Sequence, residues 1–285
     1  MADKLKEFYS SSLEYRDSLG KNELKEYTEY LAECSAGMSP GGEFLECGCG
    51  LGNSSRLLSL KGFSVTGTDI SPLFVEEARR RHGEGPLLRF AVEDASRMSF
   101  RDASFDVVCS ALFMEHVGDV EAVLREMHRV LRPGGRLVLA MPSFLDPFQQ
   151  LSEFLSWKGR ARPRPWEAGT RAGAFLNFFY FSWIKFAKSA GLDRKIRYLE
   201  PVLSGSTAEC GNDFDATWLA NSHDVERLLL GLGMEVRIVF PSCPEGKAAG
   251  LMRRLRLPGE LRRAYERTRA AGFTAVAVKS KARGF

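Results

Sequence analysis

Three acidic side chains and a glycine-rich turn are the residues of this sequence best suited to hold a ligand. The turn spans residues 46–52, with glycine at every second position after Glu46. Because glycine has no Cβ, a ligand can approach the main chain of such a turn closely. The helix predicted to follow the turn offers unpaired N–H groups to negative charge. Asp69 and Asp94 each follow a short apolar segment, so further carboxylates are available to bind polar groups.

These acids are predicted to lie at the ends of buried β-strands. Residues 65–69 and 90–94 each read as a short strand that runs into an acid. An aspartate at a strand end can accept two hydrogen bonds from a ribose diol, which suits Asp69. A carboxylate at Asp94 can accept a hydrogen bond from the exocyclic amine of adenine. The pattern therefore indicates a nucleoside-containing ligand.

The order of these motifs resembles that of the class I S-adenosylmethionine-dependent methyltransferases. Their first motif reads acidic-x-Gly-x-Gly-x-Gly, as residues 46–52 do, whereas a dinucleotide fingerprint would place a third glycine at Asn53. Residues 104–117 and 131–140 continue the family pattern in the same order. The resemblance covers residues 40–145 and is strongest to the small-molecule enzymes of the ubiquinone/menaquinone biosynthesis type.

The resemblance implies S-adenosylmethionine as the cofactor and the glycine turn as the site of its methionine part and ribose. The turn residues concerned are Gly48, Cys49, Gly50 and Gly52. Glu46 matches the acid of the first motif. We expect it to reach the amino group of the cofactor through a water molecule or a neighbouring backbone group.

Later strand ends complete the cofactor site that the resemblance implies. Asp69 would hold the ribose diol, with Ile70 packed on the adenine. Asp94 and Ala95 would read the adenine amine, although the formation of a turn is an alternative reason for an aspartate there. The sulfonium end would be lined by Ser110, Ala111 and Leu112.

His116 is the candidate catalytic residue. Methyl transfer from a sulfonium is an in-line displacement, so the protein mainly orients the nucleophile and excludes water. We therefore expect neither a catalytic triad nor a metal site. If the acceptor is a hydroxyl or an amine, a base helps to remove its proton, and histidine titrates near neutral pH. The alternative interpretation is that His116 only lines the cofactor.

The alternation of apolar strands and helices predicts the fold class. Residues 43–142 alternate in this way, which predicts an α/β protein with a parallel sheet and helices on both faces. The resemblance implies a Rossmann-like, doubly wound, mostly parallel seven-stranded sheet with an antiparallel last strand. Residues 1–40 are predicted to form an N-terminal helical segment, and residues 41–285 the methyltransferase domain.

Residues 143–212 interrupt the alternation and are predicted to be an insertion after the fifth strand. Seven aromatic residues fall within residues 175–186. One interpretation is a helix buried against the sheet edge or in a dimer contact. The other is a lid that walls an apolar pocket. A lid would suit an apolar or aromatic small-molecule acceptor, such as a quinone-like ring or a polyketide.

Composition favours a soluble enzyme in a reducing cytoplasm. The chain has 285 residues, of which 44% are hydrophobic, and no apolar run has the length of about 18 residues that a membrane span requires. The charged first residues do not resemble a signal peptide. The six cysteines are scattered, and the spacing of Cys47 and Cys49 suits neither a disulfide nor a zinc site.

Two basic stretches have several possible partners. The net charge is +4, but residues 157–171 and 252–269 are far more basic than the rest. They could contact RNA phosphates, lipid headgroups or an anionic acceptor, or they could be solvated helix faces. Since no RNA-binding motif accompanies them, a nucleic-acid partner is not favoured.

Two other classes of protein are weighed against the methyltransferase. An oxidoreductase with a nicotinamide cofactor is disfavoured by Asn53 and by the Leu-Arg-Pro-Gly-Gly sequence at residues 131–135. A methyltransferase-like fold that has lost catalysis would serve as a binding protein. The acids retained at positions 46, 69 and 94 argue against that alternative.

Overall fold

The structure is a computed structural model that describes residues 2–13, 15, 17, 28–155, 165–203, 213–240 and 272–281. The basic stretch 252–269 and most of the stretch 157–171 lie outside the described residues. The four cysteines in the described ranges are free and buried. No helix among the described residues has both the length and the hydropathy of a membrane-crossing segment.

A seven-stranded sheet forms the centre of the molecule. Its spatial order is β3-β2-β1-β4-β5-β7-β6. Strands β1 to β5 pair in parallel, whereas β7 runs antiparallel to both of its neighbours. This order confirms the predicted α/β, doubly wound, mostly parallel fold with an antiparallel last strand. The strands are β1 Glu43–Cys47, β2 Ser64–Asp69, β3 Leu88–Val92, β4 Phe105–Ala111, β5 Leu131–Pro142, β6 Met234–Val239 and β7 Gly272–Lys279.

Helices cover both faces of this sheet. A 3₁₀ turn, Met114–His116, lies between β4 and the next α-helix. The α-helices are α1 Ala2–Ser11, α2 Thr28–Ser35, α3 Asn53–Leu60, α4 Pro72–His82, α5 Val120–Val130, α6 Pro147–Leu155, α7 Arg171–Ser189 and α8 Ser222–Gly231.

Alternate residues of each central strand belong to different cores. Leu45 and Val108 join the larger buried cluster, which includes side chains of α5, α7 and α8. Phe44 and Val107 join a second cluster with residues of α2, α3 and α4. Successive side chains of a strand point to opposite faces, so both faces of β1 and β4 are buried. This explains why these strands are almost continuously apolar.

Two helix starts form as their sequences predict. The Ser71 hydroxyl accepts a hydrogen bond of 3.3 Å from the Phe74 N–H at the start of α4. The Asp119 carboxylate accepts one of 2.9 Å from the Ala122 N–H at the start of α5. Each side chain satisfies an N–H group that has no partner within the helix. These caps fix where the chain leaves β2 and β4, and hence the edge at which the site lies.

The insertion after β5 folds into helices that pack on the core. Within α7, Phe181 and Ile184 are buried in the larger cluster. Lys188 is also buried, and its Nζ atom lies 2.8 Å from the carboxylate of Asp224 at the start of α8. The aromatic stretch was predicted to pack as a buried helix, and one face of α7 is buried in this way. The opposite face of α7 is exposed.

Candidate active site

A cavity of about 380 Å³ opens at the carboxyl ends of the parallel strands. Ligand sites of proteins commonly have volumes of this order, and in doubly wound sheets they lie where the strand order reverses. Here the reversal falls between β1 and β4. Ten of the thirteen predicted site residues line the cavity: Gly48, Cys49, Gly50, Asp69, Ile70, Asp94, Ala95, Ala111, Leu112 and His116.

The glycine turn needs glycine for conformation and for space. Gly48, Gly50 and Gly52 have φ values of 67°, 51° and 77°. A Cβ on Gly48 would lie 2.1 Å from the Phe113 ring, and one on Gly52 would lie 2.7 Å from the Phe90 ring. Gly52 therefore serves the packing of α3 on the sheet. It is not among the described residues that line the cavity.

Glu46 lies behind the turn, not in the cavity that the described residues form. Its buried carboxylate accepts hydrogen bonds from the Tyr30 hydroxyl at 2.9 Å and the Ser54 hydroxyl at 2.6 Å, and a further one from Ser55. Burial raises the pKa of Glu46, and the three hydroxyl donors oppose that shift. The carboxylate thus links α2 and α3 to β1. Its contact with a cofactor amino group stays a prediction.

Asp69 holds the glycine turn and faces the cavity. Its Oδ2 atom accepts a hydrogen bond of 3.0 Å from the Gly50 N–H, and its Oδ1 atom accepts one of 2.9 Å from the Ser71 N–H. Burial raises the pKa of Asp69 to about 6, against the lowering effect of these backbone donors. A carboxylate has about four acceptor positions, so two remain for a diol.

Asp94 forms a turn at the edge of the cavity, and its contact with the adenine amine stays a prediction. It lines the cavity, and its Oδ1 atom accepts hydrogen bonds from the N–H of Ser96 at 2.8 Å and its hydroxyl at 2.7 Å. Ser110, by contrast, is fully buried within β4 and does not line the cavity that the described residues enclose. Its place at the sulfonium end stays a prediction, since strand alternation directs its side chain into the sheet packing.

His116 is surrounded by carboxylates. Its Nδ1 atom lies 3.3 Å from Oδ2 of Asp215, and its Nε2 atom lies 3.8 Å from Oε1 of Glu115. The Tyr9 hydroxyl donates a hydrogen bond of 2.7 Å to the same Asp215 oxygen. The cluster of Tyr9, Glu115, His116 and Asp215 therefore brings together α1, the 3₁₀ turn and the segment that precedes α8.

Burial and charge determine the protonation of this cluster. Burial lowers the pKa of His116, but the carboxylates of Asp215, Glu115 and Asp213 together raise it above its ordinary value. Burial also raises the pKa of Glu115 to about 7. Glu115 is fully buried, and neither carboxylate oxygen has a hydrogen-bond partner in the described part of the chain. Such groups titrate as a set and suit proton transfer near neutral pH.

Two residues of this cluster also belong to a group of possible metal ligands. Glu115, His116 and Asp213 each offer one ligand atom, and these atoms lie within 4.8 Å of one another. Of these three residues, only the histidine was predicted from the sequence, since Asp213 follows the insertion. The expectation of a metal-independent reaction stays a prediction.

The segment before α8 fixes the position of the 3₁₀ turn. The Thr217 hydroxyl donates hydrogen bonds to the carbonyl groups of Glu115 and Val117, at 3.0 and 2.6 Å. The Trp218 Nε1–H donates one of 2.7 Å to the Met114 carbonyl. These bonds are buried, so the backbone that presents His116 is held rigidly.

The side chains that reach the site from remote parts of the chain were not predicted from the sequence. Leu5, Tyr9 and Tyr15 of the N-terminal segment line the cavity, and Asp215 lies behind His116. The aromatic residues of the N-terminal segment were a signal for this contact. Aromatic side chains on a short charged helix are stabilised by packing against another part of the protein. No motif spacing could have linked Asp215 to His116.

The fold and the site define a class of protein. A doubly wound sheet with an antiparallel last strand, a glycine turn after β1 and an acid at the end of β2 are the features of class I methyltransferases. Residues 45–139 match the family model described as a methyltransferase domain. Residues 45–139 are thus a methyltransferase domain, and the match favours a methyltransferase over the oxidoreductase and non-catalytic alternatives.

Curated relatives are similar to the same part of the chain. One is the 2-methyl-6-phytyl-1,4-hydroquinone methyltransferase of Synechocystis sp., 44% identical over 104 residues, or 36% of this chain and 33% of the relative. Another is the demethylmenaquinone methyltransferase of Beutenbergia cavernae, 42% identical over 104 residues, or 36% of this chain and 42% of the relative. The chain thus covers less than half the length of these relatives.

A solved structure is similar over most of the chain. The S-adenosylmethionine-dependent methyltransferase of Mesorhizobium loti aligns with a TM-score of 0.52 and 20% identity, covering 88% of this chain and 97% of that one. At this level of identity the likeness establishes the fold. The shared fold therefore extends beyond residues 45–139.

Proposed function

We propose that this protein transfers a methyl group from S-adenosylmethionine to a small, apolar ring acceptor with an acidic hydroxyl, of the hydroquinone class. The observation that carries the proposal is the position of His116, which lines the cavity and has carboxylates beside both ring nitrogens. The two curated relatives described above act, by their names, on a hydroquinone and on a demethylmenaquinone.

The residues present fit the cofactor. The cavity has room for a ligand of this size class, and the glycine turn forms one wall of it. Asp69 would hold the ribose diol, and Asp94 and Ala95 would read the adenine. S-adenosylmethionine, when bound, supplies a methyl group on a sulfonium, which a nucleophile can displace. The described residues would position both the cofactor and the acceptor.

His116 would take the acceptor proton. A ring hydroxyl becomes a stronger electron donor when it is deprotonated, and this favours attack by either its oxygen or a ring carbon. Asp215 beside Nδ1 stabilises the imidazolium that results, and Glu115 stabilises the same charge from the other side. A base with a pKa near the working pH is the most effective, which suits this cluster.

Apolar side chains around His116 would exclude water and hold the ring. The walls of the cavity include Leu5, Phe74, Phe113, Val117 and Val123. An apolar wall gives a ring acceptor a favourable surface and strengthens the charge interactions of the histidine. None of the described residues of α7 lines the cavity, so the lid predicted for the aromatic insertion stays a prediction.

The proposal is tested by assaying S-adenosylhomocysteine release with a panel of acceptors. The panel contains reduced naphthoquinones and benzoquinones with short isoprenoid tails, and the matched controls are the same rings with their hydroxyls blocked as ethers. We expect turnover with the free hydroquinones alone. Cofactor binding is measured separately by calorimetry. Failure to bind S-adenosylmethionine would overturn the activity, and equal turnover of the blocked rings would overturn the acceptor class and the base.

A further inference from the structure

The outward face of α7 carries a stripe of large exposed side chains. We define this aromatic stripe as Leu176, Phe179, Tyr180, Trp183 and Phe186, whose exposed fractions are 67%, 55%, 51%, 64% and 58%. They recur every three or four residues, so they lie on one side of the helix. The opposite side is buried through Phe181 and Ile184. An exposed apolar patch of this size normally marks a surface that binds protein or lipid.

The sequence that leads into α7 is strongly basic. Residues 157–171 contain five Lys or Arg residues and one acid, Glu167. Within the described residues, Arg171 is exposed at the start of α7, and Arg194 and Lys195 are exposed just beyond its end. Cations beside an exposed aromatic face complement a lipid bilayer, whose headgroups can be anionic and whose interior is apolar. Trp and Tyr favour the interface of a bilayer, and each basic residue near anionic lipid adds about 1 kcal/mol.

We propose that the aromatic stripe of α7 docks on a membrane surface that contains anionic lipid. The buried inner face of α7 stays on the protein core, so the helix lies along the membrane surface with its outer side chains among the headgroups. Lipid suits this face better than a second copy of the chain, because the exposed Arg171, Arg194 and Lys195 near the ends of α7 would repel the same cations of a second copy. The inference does not depend on the identity of the methyl acceptor.

Co-sedimentation with vesicles tests this surface in the absence of any acceptor. The probes are vesicles of phosphatidylcholine alone and of phosphatidylcholine mixed with phosphatidylglycerol. We expect the protein to bind the mixed vesicles at least about tenfold more tightly, and added salt to weaken that binding. The double variant Phe179→Ser/Trp183→Ser should lose at least about tenfold in affinity for the mixed vesicles.

The matched control is the double variant Leu60→Ser/Leu230→Ser. It removes two leucines that are 63% and 55% exposed, on α3 and α8, and should leave vesicle binding unchanged. Circular dichroism and S-adenosylmethionine binding verify that all variants are folded. Absence of vesicle binding by the wild type, or equal binding by the stripe variant, would overturn the proposal. A dimer in light scattering that the stripe variant dissociates would assign the face to a second copy and would also overturn it.

Discussion

The Tyr9 hydroxyl donates a hydrogen bond of 2.7 Å to Asp215, a residue 206 positions further along the chain. The oxygen that accepts this bond also lies 3.3 Å from Nδ1 of His116. Asp215 therefore connects the N-terminal helix to the candidate base. The position of α1 at the cavity and the orientation of the imidazole are consequently linked through one buried carboxylate.

Replacement of Asp69 by alanine should weaken S-adenosylmethionine binding by about tenfold or more. The variant loses acceptors for the ribose diol and also the hydrogen bonds that hold Gly50 and Ser71. Calorimetric titration measures the change. Asp69→Asn is the control, since it keeps the shape and one acceptor oxygen and should show a smaller loss. Wild-type affinity in Asp69→Ala would remove this residue from the cofactor site.

Substitution of His116 by alanine should reduce turnover far more than cofactor affinity. The imidazole is proposed to take a proton from the acceptor, a step that contributes about 100-fold or more where a base is used. Steady-state kinetics give the turnover, and calorimetry gives the affinity for S-adenosylmethionine. Unchanged turnover would leave His116 as a residue that only lines the cavity, the alternative weighed from the sequence.

The pH dependence of kcat/KM should shift in the Glu115→Gln variant. The charge of Glu115 helps to raise the pKa of His116, so its removal lowers that pKa. The neutral base is then present at lower pH, and the acid limb of the profile should move to lower pH. A profile measured with a hydroquinone acceptor tests this. A purely structural glutamate would change the amplitude of the profile and leave the limb in place.

Stability should respond to pH through the same residue. The folded-state pKa of Glu115 is raised from 4.5 to about 7, so burial of its charge destabilises the folded protein as pH rises through this range. Between pH 4.5 and 8 the wild type should lose stability relative to Glu115→Gln, on the order of 3 kcal/mol. Urea unfolding at several pH values measures the difference. Parallel pH dependences of the two proteins would contradict the raised pKa of the buried Glu115.

The Gly48→Ala variant should be strongly destabilised. Its φ of 67° strains an L-residue, and the new Cβ would overlap the Phe113 ring. Strain and overlap together should cost about 3 kcal/mol. Gly233→Ala is the control: its φ is 74° with nothing within 4 Å of the added Cβ, so strain alone should cost about 1 kcal/mol. Similar unfolding midpoints for the two variants would show that the Phe113 ring moves aside at little cost in stability.

Most of the fold and much of the candidate site could be predicted from local sequence signals. Ser71 and Asp119 were identifiable as helix caps because a cap depends only on neighbours a few residues away. Asp69 was identifiable as a site residue because it ends a buried apolar strand. A charged side chain at that position can face a cavity. The exposed side of α7 was not, since an aromatic-rich helix has the same sequence whether its outer face meets protein or water.

By itself, the sequence determined the alternation of strands and helices, the glycine turn and the acids at strand ends, because each depends on short-range backbone and burial preferences. Only the tertiary structure decided that Glu46 serves the core through three hydroxyls, and that Tyr9 and Asp215 meet at His116. Those contacts join segments that are far apart in the chain. Their formation depends on how the helices pack on the sheet, which no local pattern encodes.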